Sequence, residues 1–470
     1  MIDTTQLAAA PVLSDAVGVD LGSVAIEVDG SLTTWRGPLA VEDVAVSSVM
    51  VALAAAAELL AERNGTRPRP VRFDARHASM SFLSESLVAP QGWRMPPVWD
   101  PIAGDYSTAD GWIRLHTNYP HHRAAALSAL ALTDEDGLSA ETVASRVRTW
   151  ITDDLEAAVV AAQGVAGGQR TMDQWHAHPA GSAVEGEPLL AHIRHDAADS
   201  GTTVLPPATR PFEGIRVLDL TRVLAGPTAT GFMAAWGAEV LRIDPPGFEE
   251  APAIVPITTS GKQTTSIDLA DPAGRQVFLR LLAEADVVVH GYRGGALAGI
   301  GLDPAEWPSI RPGIVVAGLT AYGWSGPWCQ RRGFDSIVQH SSGITRLGQD
   351  AMGAERPVPL PCQALDHGCG WLLAAGVARA LTERCRTGRG DEMQTSLARF
   401  AHLLTSLPQS GDLDRPAPAF ADAEPFTASA STPSGPLRRL TWPGSIDGIQ
   451  PLLGPASTIG SSAPAWTATE

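Results

Sequence analysis

From Ile215 to Leu319 the chain alternates short apolar runs with amphipathic stretches, and no other feature narrows its fold as much. Ile215-Arg-Val-Leu-Asp-Leu220, Glu239-Val-Leu-Arg-Ile-Asp244, Thr264 to Leu269, Val287 to His290 and Ile314 to Leu319 read as strands. Pro272 to Ala285 and Pro304 to Ile310 read as helices, and Ala225-Gly-Pro227 is a tight loop with proline opening another helix. Strands and helices alternating at this length predict an α/β fold, a doubly wound, mostly parallel Rossmann-like sheet domain. At 470 residues the chain exceeds one ordinary core, so a second, smaller α+β domain is expected.

That second region is assigned to residues 1–196. A strand is expected near Ala25 to Val28, an Ala-rich helix from Val41 to Ala61, a strand at Val71 to Ala75 and another in Asp110 to His116. Helices follow at His122 to Leu132, Ala140 to Ile151 and Leu155 to Gln163, and Thr171-Met-Asp-Gln-Trp175 opens one more. Residues 197–212, rich in Asp, Ser, Gly, Thr and Pro, form a linker to the sheet domain at 213–408. Residues 409–470 are a Pro/Ser/Thr-rich segment, mostly irregular, with a short strand at Leu437 to Thr441. The stretch ending at Arg63 and continuing from Pro70 to Ala75 parallels the one ending at Arg384 and continuing from Glu392 to Leu397, a faint internal repeat.

The formal net charge of −17 argues against nucleic acid or an anionic membrane surface as a partner, because both require a basic face. Among the 34 formal cations Lys262 is the single lysine. Four cysteines without paired spacing are neither a zinc site nor a disulfide framework, and they read as reduced thiols. The N-terminus lacks the pattern of a signal peptide, and the run Val49 to Ala57 is too short to span a bilayer. A cytoplasmic protein is expected.

Asp366, in Pro361-Cys-Gln-Ala-Leu-Asp-His-Gly-Cys-Gly370, stands where an N-cap belongs, just before a helical pattern through Trp371, Leu372, Ala375, Val377, Ala378 and Leu381. A carboxylate there, facing the positive end of the helix and free N–H groups, is expected to stay ionised and can act either as a cap or as a nucleophile. The dinucleotide and phosphate-loop glycine fingerprints are missing, and Gly323-Trp-Ser-Gly-Pro327 puts proline where a nucleophile elbow needs glycine. The pairs His121/His122 and His176/His178 lack ligand-spaced companions and read as surface histidines. Three loops could hold an anion at strand ends: Ala225-Gly-Pro-Thr228 at a helix N-terminus, Lys262 in Thr-Ser-Gly-Lys-Gln263, and Tyr292-Arg293-Gly-Gly295.

Gly214-Ile-Arg-Val-Leu-Asp-Leu-Thr-Arg-Val-Leu-Ala-Gly-Pro227, Gly237-Ala-Glu-Val240, Ser260-Gly-Lys262, Ile267-Asp-Leu269, Arg332-Gly-Phe-Asp335 and Thr387-Gly-Arg-Gly390, in that order, resemble the family III CoA-transferases, also called the CaiB/BaiF family. The likeness covers about Phe212 to Leu404 and lays the family's catalytic aspartate on Asp366. Asp110-Gly-Trp-Ile and Arg170-Thr-Met-Asp-Gln-Trp175 resemble the family's small domain, which here precedes the large one. Pro245 replaces a cation that the family often has there, and Leu224 replaces a glutamine of some formyl-CoA transferases.

The resemblance implies a CoA transferase that moves CoA from an acyl-CoA to a small carboxylic acid through an aspartyl anhydride and thioester at Asp366. CoA is then a carrier of substrate held near Leu224, Ala225, Gly226, Lys262, Tyr292 and Arg293, no other cofactor and no metal is expected, and the family's architecture implies a homodimer. Two alternatives stay open. An α-methylacyl-CoA racemase would need a histidine where Phe334 stands, with His340 or His367 as substitutes, and a non-catalytic CoA-binding protein would need no chemistry at all.

Overall fold

The structure is a computed structural model that describes residues 2–32, 35–134, 138–194, 205–409, 413 and 418–467. Its centre is a sheet of seven strands: β1 (Ala191–Arg194), β2 (Arg216–Leu220), β3 (Glu239–Asp244), β4 (Gln263–Ser266), β5 (Val287–His290), β6 (Val315–Thr320) and β7 (Asp391–Ser396). They lie in the order β4-β3-β2-β5-β6-β7-β1. All neighbours are parallel except β1, which pairs antiparallel with β7. The molecule is thus a mixed α/β protein with one large, parallel-rich sheet and several small ones.

Successive side chains of a strand face opposite ways, and the two faces of this sheet feed two cores. Val217, Val240, Val287, Val289, Val315 and Ala317 pack toward the helices Ala225–Ala235 and Ala364–Thr387. Leu218, Leu220, Leu241, Ile243, Val288 and Val316 pack toward the helix Pro272–Leu282 and Trp307. Burial on both faces explains why these strands read as continuous apolar runs. Asp271, capping the N–H groups of Ala273 and Gly274 ahead of Pro272, and Ser396, capping that of Arg399, start their helices as their sequences predict.

Residues 1–196 do not gather into one body. A unit from Ile102 to Ala166 has its own core of Ile102, Tyr106, Ile113, Leu115, Leu127, Val143, Val147, Leu155 and Val159, under a three-stranded antiparallel sheet. The helix Val41–Asn64, by contrast, belongs to the core of the large sheet and packs along Ala364–Thr387. It is long and apolar enough to cross a membrane, yet here its apolar surface is covered by protein. Both helices have 24 residues and end at a left-handed glycine, Gly65 and Gly388, so the faint internal repeat falls on two elements of equal length that pack together. Half of the expected linker, residues 197–204, lies outside the described residues.

The C-terminal segment is better ordered than its composition predicts. Thr427–Ala430, Leu437–Leu440 and Val88–Pro90 form one small sheet, and Ser445–Ile446 adds to Ile26–Asp29 and Val71–Asp74 in another. Beyond it, Gly261 donates to Pro455 O and Ser462 to Thr264 O, which seats the tail against the β4 edge.

Candidate active site

Two glycines bring the helix Ala364–Thr387 against the loop after β2. A Cβ on Gly370 would lie 2.5 Å from Ala225 O, and one on Gly226 would strike the Thr221 side chain at 2.2 Å. Only hydrogen fits at either place, so the start of the long helix reaches the carboxyl ends of the strands. There it borders a crevice of about 390 Å³, at the point where the strand order reverses between β2 and β5. Open parallel sheets place ligands at such a reversal.

Asp366, Ala225, Gly226, Tyr292 and Arg293 all line this crevice, so five of the seven residues singled out from sequence are brought together. Leu224 is not among them; it is buried and faces a second, smaller cavity. Lys262 corrects the expectation more sharply. Its ammonium is fully buried, donating to Asp219 Oδ2 at 3.0 Å, Thr230 Oγ1 at 2.7 Å and Pro227 O at 3.2 Å, and does not line the crevice. An acid inside an apolar strand needs a counter-charge, and Lys262 supplies it. The adjoining buried cluster joins Arg242 to Asp244 at 2.8 Å and to Glu250 at 3.2 Å, and Tyr119 donates to Glu250 at 2.6 Å.

Asp366 occupies the third position of its helix, and Gln363, not Asp366, stands at the N-cap. The backbone N–H groups of Leu365 and Asp366 are taken by Asp335 Oδ2, at 2.8 and 3.0 Å. Among the described residues the Asp366 carboxyl has no hydrogen-bond partner of its own, and it is 6% exposed. Burial, and then the neighbouring carboxylates of Asp335 and Glu85, push its pKa well above the usual carboxylate range. The helix terminus does not reverse this, because its free donors serve another residue. Burial also raises Asp335, against the hydrogen bonds from Gln339, Asp366 and Leu365. Of the pair, Asp335 alone is hydrogen-bonded, accepting from Gln339 and from the backbone of Leu365 and Asp366, so burial and like charge act on Asp366 without that relief.

The rest of the lining was not legible as a site. His121 and His122 come from the small unit and line the crevice; His121 is exposed, as a surface histidine should be, whereas His122 is buried, and burial lowers it to about 3. Phe334 stacks on His116 with ring centroids 3.8 Å apart. Arg222 lies over Phe248 at 4.6 Å and donates to Asp244 at 3.3 Å, while Arg331 pairs with Glu156 at 2.8 Å. Arg293 donates to Gln330 O and Arg332 to Gln163, and among the described residues neither has an acidic partner. Burial, and then repulsion from Arg293, lower Arg332, which places two like charges at one end of the crevice.

His340 and His367 lie elsewhere. His340 is buried against Asp105 at 3.2 Å, and His367 bonds Glu85 at 2.9 Å, with Thr228 Oγ1 at 3.5 Å. Neither lines the crevice.

Fold and crevice together define a mixed α/β protein with an open crevice at the strand ends of a parallel-rich sheet. Residues 212–410 match the model of CoA-transferase family III. A probable fatty acyl-CoA transferase of Mycobacterium tuberculosis is 35% identical over 201 residues, 40% of this chain and 50% of that protein. The succinyl-CoA:glutarate CoA-transferase of Mus musculus is 33% identical over 193 residues, 38% of this chain and 44% of that protein. An acyl-CoA transferase of Gibberella moniliformis is 27% identical over 384 residues, 73% of this chain and 67% of that protein. The chain thus spans about half the length of the first two relatives and two thirds of the third. Among solved structures, a Mycobacterium tuberculosis protein matches with 34% identity and a TM-score of 0.38, over 42% of this chain and 57% of that chain. A CaiB/BaiF family protein from Brucella suis matches with 26% identity and a TM-score of 0.37, over 48% of this chain and 65% of that chain.

Proposed function

We propose that the protein transfers CoA from an acyl-CoA to a small carboxylic acid, with Asp366 as nucleophile. One observation carries the reading: an unbonded carboxyl in a strand-end crevice lined by two arginines, Arg293 and Arg332, that have no acidic partner among the described residues. Two unpaired guanidinium groups suit the phosphates of CoA, and Tyr292 beside them offers a ring face. The names of the relatives point the same way. The sheet then works as a doubly wound, Rossmann-like scaffold, with its ligand at the reversal of strand order.

In this mechanism the ionised Asp366 attacks the thioester carbonyl and expels the CoA thiolate, leaving a mixed anhydride. The thiolate attacks the aspartyl carbonyl, releases the donor acid and forms an aspartyl-CoA thioester. The acceptor carboxylate attacks that thioester, expels the thiolate and forms a second anhydride. Attack of the thiolate on the acceptor's acyl carbon gives the new acyl-CoA and restores Asp366. One thioester is exchanged for another, so ATP is not consumed, and the walls need only hold the partners and keep water from the anhydrides. The reading includes a homodimer and a cytoplasmic setting, the first checked by sedimentation at micromolar concentration.

The experiment is incubation with a panel of acyl-CoAs and carboxylic acids, followed by chromatography for new acyl-CoA and intact-protein mass spectrometry for CoA held on Asp366. No exchange and no adduct with any pair, while CoA still binds, leaves a non-catalytic CoA-binding protein. A second reading rests on His122, which lines the same crevice as Asp366 and could share α-proton exchange with it. A histidine lowered to about 3 is a poor base at neutral pH, which favours transfer. Deuterium entering the α-carbon of an acyl-CoA in heavy water would reverse that preference.

A further inference from the structure

His367, the residue after Asp366, faces a second cavity of about 40 Å³ that the proposed transfer does not use. Around it converge Ser81 and Ser84 from the N-terminal half, Thr228 and Trp371 from two helices of the sheet, and Arg439 and Thr441 from the C-terminal segment. Arg439 is 4% exposed, its Nη2 donates to Ser260 Oγ, and its Nε has no hydrogen-bond partner. Among the described residues no carboxylate pairs with it. Trp371 is 1% exposed, and its indole N–H is also without a partner.

Both unpartnered groups are donors that cannot accept, so a neutral acceptor would satisfy hydrogen bonds but leave the guanidinium charge uncompensated. Burial without a counter-charge pulls Arg439 down to about 10, still leaving it a cation at neutral pH. Glu85 is spent on His367 at 2.9 Å and does not line the cavity. A volume of about 40 Å³, about a tenth of that of the crevice, suits a carboxylate group or one halide.

We propose that this cavity is a site for one small monovalent anion, a carboxylate no larger than acetate or a halide, held between the Arg439 guanidinium and the Trp371 indole N–H. The anion joins the N-terminal half, the long helix and the C-terminal strand around one charge. The site stands independently of CoA transfer.

The test uses the full chain, dialysed into a buffer whose only anions are too bulky for the cavity, such as gluconate. Sodium formate, acetate and bromide are each titrated at constant ionic strength while the melting temperature is followed. A saturable rise is expected, and crystals soaked in bromide should show anomalous density beside Arg439. Trp371→Phe, which keeps most of the volume but removes the donor, should weaken the half-saturating concentration about tenfold, the scale of one charge-assisted hydrogen bond. Arg439→Met should abolish the rise; if that variant does not fold, Trp371→Phe and the bromide density decide. A melting temperature that ignores all three anions, density that water alone accounts for in crystals soaked with an anion that saturates the rise, or a rise unchanged in Trp371→Phe would overturn the proposal. Saturation by formate and acetate without bromide assigns the site to carboxylates, and saturation by all three to anions by charge and size.

Discussion

Asp335 Oδ2 accepts the backbone N–H of Asp366 at 3.0 Å, so one buried carboxylate fixes the main chain of the residue that presents the other. The donors that would have stabilised an ionised Asp366 are thereby committed to its neighbour. Among the described residues the Asp366 carboxyl is left without hydrogen bonds, in a low-dielectric wall and beside a like charge. Such a carboxyl is costly to hold and reactive once ionised, a trade usual for catalytic groups.

Asp366→Asn is expected to abolish CoA transfer by about 10⁴-fold or more, the scale of losing a nucleophile, while CoA binding survives. The side chain neither caps the helix nor accepts a bond, so the amide should leave the fold intact. Turnover within tenfold of the parent, with deamidation excluded by mass spectrometry, would remove Asp366 from the chemistry.

The pH dependence follows from the direction of the shift. An acid raised in the folded state is protonated, and here unreactive, until the pH passes its raised pKa, so kcat should climb with pH on the acidic side. Asp335→Asn removes the neighbouring charge while its amide oxygen can still accept both N–H groups, and should move that limb to lower pH. For stability the sign is opposite to that of a salt-bridged acid. The folded state binds the extra proton, so stability falls as pH rises from the ordinary carboxylate range through the raised pKa. Asp366→Asn should therefore melt higher than the parent at pH 7, by about 2 °C or more, and show no such gain at pH 3.

Arg293→Gln and Arg332→Gln should each weaken CoA binding about tenfold at low salt, the scale of one charge-assisted contact. The losses should shrink as salt rises, because screening weakens the phosphate attraction in the parent as well. Equal affinity in calorimetry for parent and double variant would place the phosphates elsewhere.

Lys262→Met is expected to cost about 3–5 kcal/mol of stability by stranding Asp219 in the sheet. Adding Asp219→Leu should recover much of it, since a buried ion pair is often replaceable by apolar side chains of similar volume. Urea denaturation of the single and double variants checks this, and a Lys262→Met chain as stable as its parent would contradict the pairing.

The strands were readable because a sheet buried on both faces demands unbroken apolar runs, and Val287 to His290 is the plainest of them. Asp366 was readable from its place at a helix start, but its electrostatics were not, since Asp335 lies 31 residues away and Glu85 in a different half of the chain. His122 looked bland because nothing near it in sequence is ionisable at ligand spacing; its neighbours across the crevice are more than 90 residues distant. Lys262 carried a signal that could have been followed. Asp219 sits mid-strand in Val-Leu-Asp-Leu220, and an acid there calls for a buried cation, of which a chain with one lysine offers few.

The pairing of Ser445–Ile446 with Val71–Asp74, and of Leu437–Leu440 with Val88–Pro90, also dictates when the molecule can be finished. Ile446 meets Val71 across a long span of sequence, so during synthesis that edge at Val71 stays open until the chain has grown past Ile446. The nascent N-terminal half therefore emerges with unpaired strand edges and a long apolar helix whose covering partner, Ala364–Thr387, is made some 300 residues later. Its exposure to chaperones and to mispairing with other chains is written into the order of its segments.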